Sequence, residues 1–302
     1  MLYNDARTTT SAAGDLQHDL AAGAAPDSSP YSFRDHTPDR RIVDTVVALS
    51  RSTVWQLVDE IPLRFDAFHP QGMVRIGTSW WVSTVDIAAR RGFVMVCDAE
   101  GGLLEQIPIG AGDCYHPGGM DYDGTALWIP CAEYRPDSTA QIYRLQPGSA
   151  PERIFGVDDH VGALARCGAD GDLVGWSWGS RRFYRWSLDG RLVAAHVNPS
   201  FFVDHQDCQW LGGGRLLCGG VAAVQLAKGA GWLGGLGLLN VDTLAMQREV
   251  PFPFYSSVTD RVATQNPLWA EVVGDQLMLH LLPDDGVGTI QTYSTVLVAD
   301  GL

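Results

Sequence analysis

The sequence predicts an all-β protein, a five-bladed β-propeller whose last blade is closed by an N-terminal strand. Three observations predict it. One phrase recurs five times: a histidine, or once an asparagine, stands eight residues before a turn glycine, and an apolar run follows. The copies begin at His69, His116, His160, His205 and Asn266, at intervals of 47, 44, 45 and 61 residues. Periods of about 40–50 residues with four strands each are the mark of a propeller. The last copy lacks a fourth strand, whereas an unpaired strand precedes the first copy. Pairing the two closes the ring and removes an open sheet edge.

In chain order, residues 1–40 are rich in Ala, Asp, Ser, Thr, Gly and Pro, and include His18 and His36. Such a composition offers little to offset the entropy of ordering, so a tail or surface strap is expected. Residues 41–302 form the single propeller domain. Residues 41–50 are apolar at either period and fit a short helix or a lead-in strand. Val54 to Leu63 reads as the unpaired strand. Each unit then opens with strands A and B joined at its glycine: Gly77 before Trp80-Trp81-Val82, Gly124 before Ala126 to Ile129, Gly168 before Leu173 to Trp176, Gly213 before Leu216-Leu217, and Gly274 before Leu277-Met278-Leu279. Hairpins of strands C and D follow, with tips at Asp98 to Gly102, Gln146 to Ser149, Leu188 to Gly190 and Val241 to Thr243. The fifth unit ends on strand C, Thr289 to Leu297. Insertions around 219–235 and 251–265 lengthen the fourth interval. Gly212 to Gly214 and Gly231 to Gly237 do not join a strand to a helix, so they read as turns rather than phosphate cradles. Helical segments that alternate with strands are missing, which disfavours a parallel α/β sheet. A β-sandwich would not explain histidines locked in phase.

A formal net charge of −14 argues against nucleic acid and anionic membrane surfaces as partners. At 302 residues and 46% hydrophobic the chain can bury a full core. Six cysteines without a C-x-x-C pair read as buried, reduced thiols. No apolar run approaches a membrane span, and no signal peptide is visible at the N-terminus, so a cytoplasmic protein is expected. The oligomeric state stays open.

The blade phrase resembles β-propellers of the NHL and gluconolactonase-like groups over roughly residues 53–299. The His-Pro-Gln-Gly opening at His69 and the His-Pro-Gly-Gly opening at His116 look like a family of uncharacterised five-bladed propellers, for which no catalytic residues carry over. A looser likeness, an analogy of site chemistry only, exists to the carotenoid-cleaving oxygenases. Those are seven-bladed propellers that hold a ferrous ion with four axial histidines.

In a propeller the innermost strands line the axis, so one phase of those strands forms a ring. Half of the eight histidines, His69, His116, His160 and His205, fall at that phase, with Asn266 at the fifth position. Neutral imidazoles suit Zn, Cu and Fe. Four of them leaving one or two open positions would suit Fe(II), with Mn, Cu or Zn as alternatives. The leading expectation is therefore a metalloenzyme, of oxidoreductase or oxygenase type, that acts on a small molecule at the axis. Asn266 would fill or face a further position. Arg91, Glu133, Tyr134, Arg135, Arg182 and His280 would shape the mouth and touch substrate. Two alternatives stand beside it. One is a metal-free or metal-assisted lyase, isomerase or cyclase using the ring histidines as acid and base. The other is a binding propeller without chemistry. There is no G-x-S-x-G elbow for a hydrolase, and ring imidazoles instead of carboxylates count against a glycosidase.

Overall fold

The computed structural model describes residues 40–50, 52–167, 171–200 and 202–297. The expected strap, with His18 and His36, lies outside the described residues except for its last position, and so does Gly168. Five antiparallel sheets make five blades. Blade 5 begins with the most N-terminal strand, β1 (Gln56–Pro62). Blade 1 is β2 (His69–Ile76), β3 (Ser79–Asp86), β4 (Arg91–Cys97) and β5 (Leu103–Ile109). Blade 2 is β6 (Cys114–Pro117), β7 (Asp121–Tyr122), β8 (Leu127–Glu133), β9 (Ala140–Leu145) and β10 (Glu152–Val157); β6 and β7 together form its inner strand. Blade 3 is β11 (Val161–Arg166), β12 (Leu173–Ser177), β13 (Arg182–Trp186) and β14 (Leu192–Val197). Blade 4 is β15 (Asp204–Trp210), β16 (Arg215–Leu226), β17 (Gly229–Asn240) and β18 (Ala245–Phe252). Blade 5 is completed by β19 (Leu268–Val273), β20 (Gln276–Leu281) and β21 (Thr289–Val296), with β1 antiparallel to β21 on its outer edge. The ring closes as the sequence predicts.

Burial follows strand position. The second strand β3 is buried along Ser79–Val85, because blades cover both its faces; Trp80, Trp81, Val82 and Val85 fill it, and the buried Ser83 and Thr84 hydroxyls donate to the Gly118 and Ala67 carbonyls. The outer strand β5 is mostly exposed and carries Glu105 and Gln106. Trp81, Trp176 and Phe183 are fully buried between sheets. Removing such a side chain from water contributes roughly 1.5–3 kcal/mol, and aromatics lie at the upper end. All six cysteines are free thiols.

The ambiguous segment after residue 40 is a helix, α1 (Arg40–Ala48). Ile42 and Val46, one helical turn apart, and Leu49 beyond its end bury one stripe against Leu217, Ala270 and Leu277 of blades 4 and 5. Among the described residues no helix is long and apolar enough to cross a membrane.

Two glycine-rich runs behave differently. Gly212, Gly213 and Gly214 all have positive φ, and they form the turn expected of them. Gly231 to Gly237 is no turn: it lies within β17, which pairs with β16 over twelve residues each in a long hairpin. The glycines serve close approach instead. A Cβ on Gly234 would lie 2.6 Å from the Phe252 carbonyl oxygen, and one on Gly237 would lie 2.6 Å from Cε1 of His205.

The hub is plugged by a carboxylate. Asp207 is fully buried on β15. Its Oδ2 accepts backbone N–H groups from Met73 of blade 1 (3.1 Å) and Leu268 of blade 5 (3.0 Å), and its Oδ1 accepts that of Met120 in blade 2 (3.1 Å). Burial pushes its carboxyl well above the usual range, against the pull of these donors. Inner strands must therefore approach closely. A Cβ on Gly118 would lie 2.1 Å from the Gly162 carbonyl oxygen, and one on Gly72 would lie 2.6 Å from the Met120 nitrogen. This explains the glycines that follow His69 and His116.

Candidate functional site

Each inner strand runs seven residues from its ring position to its last residue paired across the A–B turn. In blade 1 these are His69 and Ile76, which pairs with Ser79. In blade 2 they are His116 and Asp123, whose N–H reaches Ala126 O. In blade 3 they are His160 and Cys167, bonded to Asp172 O. In blade 5 they are Asn266 and Val273, which pairs with Gln276. In blade 4 the last paired residue is Leu211, bonded to Arg215 O, and seven before it is Asp204.

The expected four-histidine ring is corrected here. Gly213 is the middle of a three-residue turn, so the eight-residue spacing in the fourth copy is offset by one. A one-residue offset in a strand turns a side chain to the opposite face. Asp204 holds the ring phase, and the fully buried His205 imidazole lies over the face of blade 4. There it meets Gly237, Glu249 (Nε2 to Oε1, 3.5 Å) and Trp176 of blade 3 (6.2 Å between rings). Among the described residues no set of three or more His, Cys, Asp or Glu side chains is placed to hold a metal ion.

What does gather is a cluster of rings on one face. His116 and His160 lie 5.5 Å apart, centroid to centroid. Tyr134, from the loop after β8, packs on His116 at 4.4 Å and stands 6.5 Å from His69. Trp178 sits in a short 3-10 turn, Trp178–Ser180, after β12. It lies 4.7 Å from His160 and 5.9 Å from Tyr134.

The polar partners assign the tautomers. His160 Nδ1 lies 2.9 Å from Glu133 O and 3.2 Å from Arg135 O. Carbonyls only accept, so Nδ1 carries the proton, and Nε2 of the neutral ring is a free base. Burial lowers the pKa of His160 to about 4, although the two carbonyl bonds act to raise it. His69 Nδ1 donates to Asp285 Oδ1 at 2.7 Å. Asp285 is held in turn by both terminal nitrogens of Arg261, at 2.9 and 2.5 Å. Its carboxyl is lowered, because His69 and Arg261 outweigh its burial. His116 is buried with neither ring nitrogen hydrogen-bonded. Burial, then the neighbouring His160 and His69, depress its pKa well below the usual imidazole value. Burial, followed by the charge of Asp285, raises the Tyr134 phenol, so it keeps its proton at neutral pH. Asp204 is pushed up to about 6 by burial and receives a hydrogen bond from Ser180 Oγ at 3.5 Å.

The remaining expected mouth residues divide. Glu133 and Arg135 are present through their carbonyls; their side chains pair with each other at 2.8 Å. Arg91 is exposed and paired with Asp86, and Arg182 is exposed at the start of β13. His280 is not at the mouth. It is buried beside Trp80 and bonded to Thr292 and Glu271, because its place on β20 opposite Trp269 turns it into the seam between blades 5 and 1. Asn266 is buried and donates to Pro283 O at 3.1 Å. Trp178, just after β12, and Arg261, in an insertion, are not among the sequence candidates, and Asp285 lies in the loop between β20 and β21. The only sequence signal for Arg261 is that it is the sole basic residue in 251–265.

A protein of unknown function from Bacteroides caccae is similar at 10% identity, with 71% of each chain covered and a TM-score of 0.44. Virginiamycin B lyase from Staphylococcus aureus is similar at 10% identity, covering 81% of this chain and 100% of that one, with a TM-score of 0.38. No curated protein matches. A family model described as "Family of unknown function (DUF6454)" matches residues 39–299. The chain belongs to that family.

Proposed function

We propose that the protein is an enzyme that moves a proton on a small organic molecule at the mouth of the propeller axis, in a lyase, isomerase or cyclase reaction. One observation carries this reading. His69 and His160 each commit Nδ1–H to a protein acceptor, Asp285 and the Glu133 and Arg135 carbonyls, which leaves Nε2 as the nitrogen that can take or give a proton. Tyr134, between His69 and His116, supplies a phenolic proton donor. Trp178 supplies a partly exposed apolar face on which an unsaturated substrate can rest. Paired catalytic acids and bases contribute about 10²–10⁴-fold each. The test is deuterium wash-in: small carbonyl acids are incubated with the protein in D2O and C–H exchange is followed by NMR. Exchange that falls at least about 100-fold in both His69→Gln and His160→Gln supports the reading. Exchange equal in wild type and in the double variant sinks it.

A metal-assisted form of the same chemistry has one observation in its favour. Imidazoles that ligate through Nε2 commonly donate Nδ1–H to a carboxylate or carbonyl, as His69 and His160 do, and buried His116 has both nitrogens unpartnered. A divalent ion, Fe(II), Mn, Cu or Zn, would have to draw these side chains together.

A further inference from the structure

We infer that Arg261 is a positioning residue for His69 and acts through Asp285. The inference rests on the acid–base reading above, in which His69 must present Nε2 unprotonated. A free neutral imidazole holds its proton on either nitrogen, and the hydrogen bond at one nitrogen fixes the other. At His69 that bond is to Asp285 Oδ1, the same oxygen that takes one terminal nitrogen of Arg261. Asp285 is exposed. Without a second anchor its carboxylate would be free to turn into solvent. Arg261 binds both oxygens in a fork, the geometry that fixes a carboxylate plane as well as its charge.

Arg261 is itself held from two sides. Its N–H donates to Thr259 Oγ1 at 3.1 Å, and its carbonyl accepts from Ser256 N at 2.7 Å. Ser256 and Thr259 both donate to Asp284, which is buried. Two residues on, Gly286 is clasped to the chain before His69: its N–H donates to Phe68 O at 2.7 Å and its carbonyl accepts from Ala67 N at 2.8 Å. Phe68 holds a positive φ of 54° in this clasp, a conformation a bulky residue adopts only when its surroundings dictate it. Asp284 thus docks the inserted segment, Gly286 docks the His69 strand, and Asp285 between them receives both His69 and Arg261. The insertion at 251–265, which the blade repeat does not require, delivers the guanidinium to the carboxylate that holds the imidazole.

The test is a tautomer measurement on the full chain. Uniformly 15N-labelled wild type, Arg261→Gln and Arg261→Lys are compared by long-range imidazole 1H–15N spectra, with His69→Gln used to assign the signals. Wild-type His69 is expected to show protonated Nδ1 and bare Nε2. Arg261→Gln is expected to move the majority of the ring to the Nε2–H form, and Arg261→Lys, which keeps the charge but not the fork, to give an intermediate signature. A wild-type signature in Arg261→Gln overturns the inference. If that variant does not fold, a wild-type signature in Arg261→Lys overturns it instead. A tautomer shift with deuterium wash-in unaffected would uphold the positioning and overturn the acid–base role. Wash-in lost in His69→Gln with no tautomer shift in the Arg261 variants would do the reverse.

Discussion

Asp207 of blade 4 accepts the backbone N–H of Met73 of blade 1 at 3.1 Å, and the same oxygen accepts that of Leu268 from blade 5. Its other oxygen takes Met120 of blade 2. One side chain therefore ties its own strand to three others at the centre of the wheel. The axis is closed by a carboxylate, and the cluster of rings lies on one face of it rather than in an open channel.

Asp207→Asn should destabilise the protein strongly although it changes one atom. Asn offers a single acceptor oxygen and sets an NH2 group against at least one buried N–H. A loss of about 1–3 kcal/mol per unsatisfied group is expected, read from urea unfolding. A midpoint unchanged from wild type would show that the hub does not depend on these bonds.

Acid should unfold the protein partly through His160. Its folded pKa of about 4 lies below the unfolded value of 6.5. The unfolded chain therefore binds the extra proton first, so this group's stability is intact above about 6.5 and is lost as pH falls from there to about 4. A shift of this size corresponds to about 3 kcal/mol. Buried His116 acts in the same direction. His160→Asn should flatten the dependence of unfolding free energy on pH between 4 and 6.5; an equally steep curve in the variant would contradict the assignment.

Asp204 and His205 should respond in opposite ways. His205→Ala removes a buried ring packed on Gly237 and Trp176, so a loss of about 2–4 kcal/mol is expected from the cavity and the lost contact with Glu249, with deuterium wash-in retained. Asp204→Asn should leave stability within about 1 kcal/mol, because its carboxyl is only partly buried, and should alter wash-in. The reverse pattern would restore His205 to the ring.

Metal content separates the two forms of the proposed chemistry. Tag-free protein equilibrated with Fe(II), Mn, Cu or Zn and then desalted should retain less than about 0.2 equivalents of metal if the acid–base form is metal-free. Retention near one equivalent, lost in His116→Gln, would favour the metal-assisted form.

The architecture was legible because it repeats. Four copies of His-to-glycine spacing, a fifth that opens on Asn266, and the apolar runs after them report the blades, and an unpaired strand at 54–63 reports the closure seen in the pairing of β1 with β21. Helix α1 was ambiguous because nine residues satisfy either period until a partner surface exists. His280 looked like a rim residue because it ends a strand, yet the face a strand residue presents depends on register. Arg261 lies in an insertion, where no repeat predicts a position.

The sequence by itself determined the number of blades, the seam between first and last strands, and the placement of His69, His116 and His160 at one phase, since these follow from periodicity carried by the chain. Only the tertiary structure decided that Asp204 takes the fourth ring place. Strand faces alternate every residue, and a three-glycine turn moves the count by one. Tertiary structure alone also decided that Asp207 fills the hub and that Arg261 reaches His69 through Asp285, because hydrogen bonds between distant segments leave no local pattern to read.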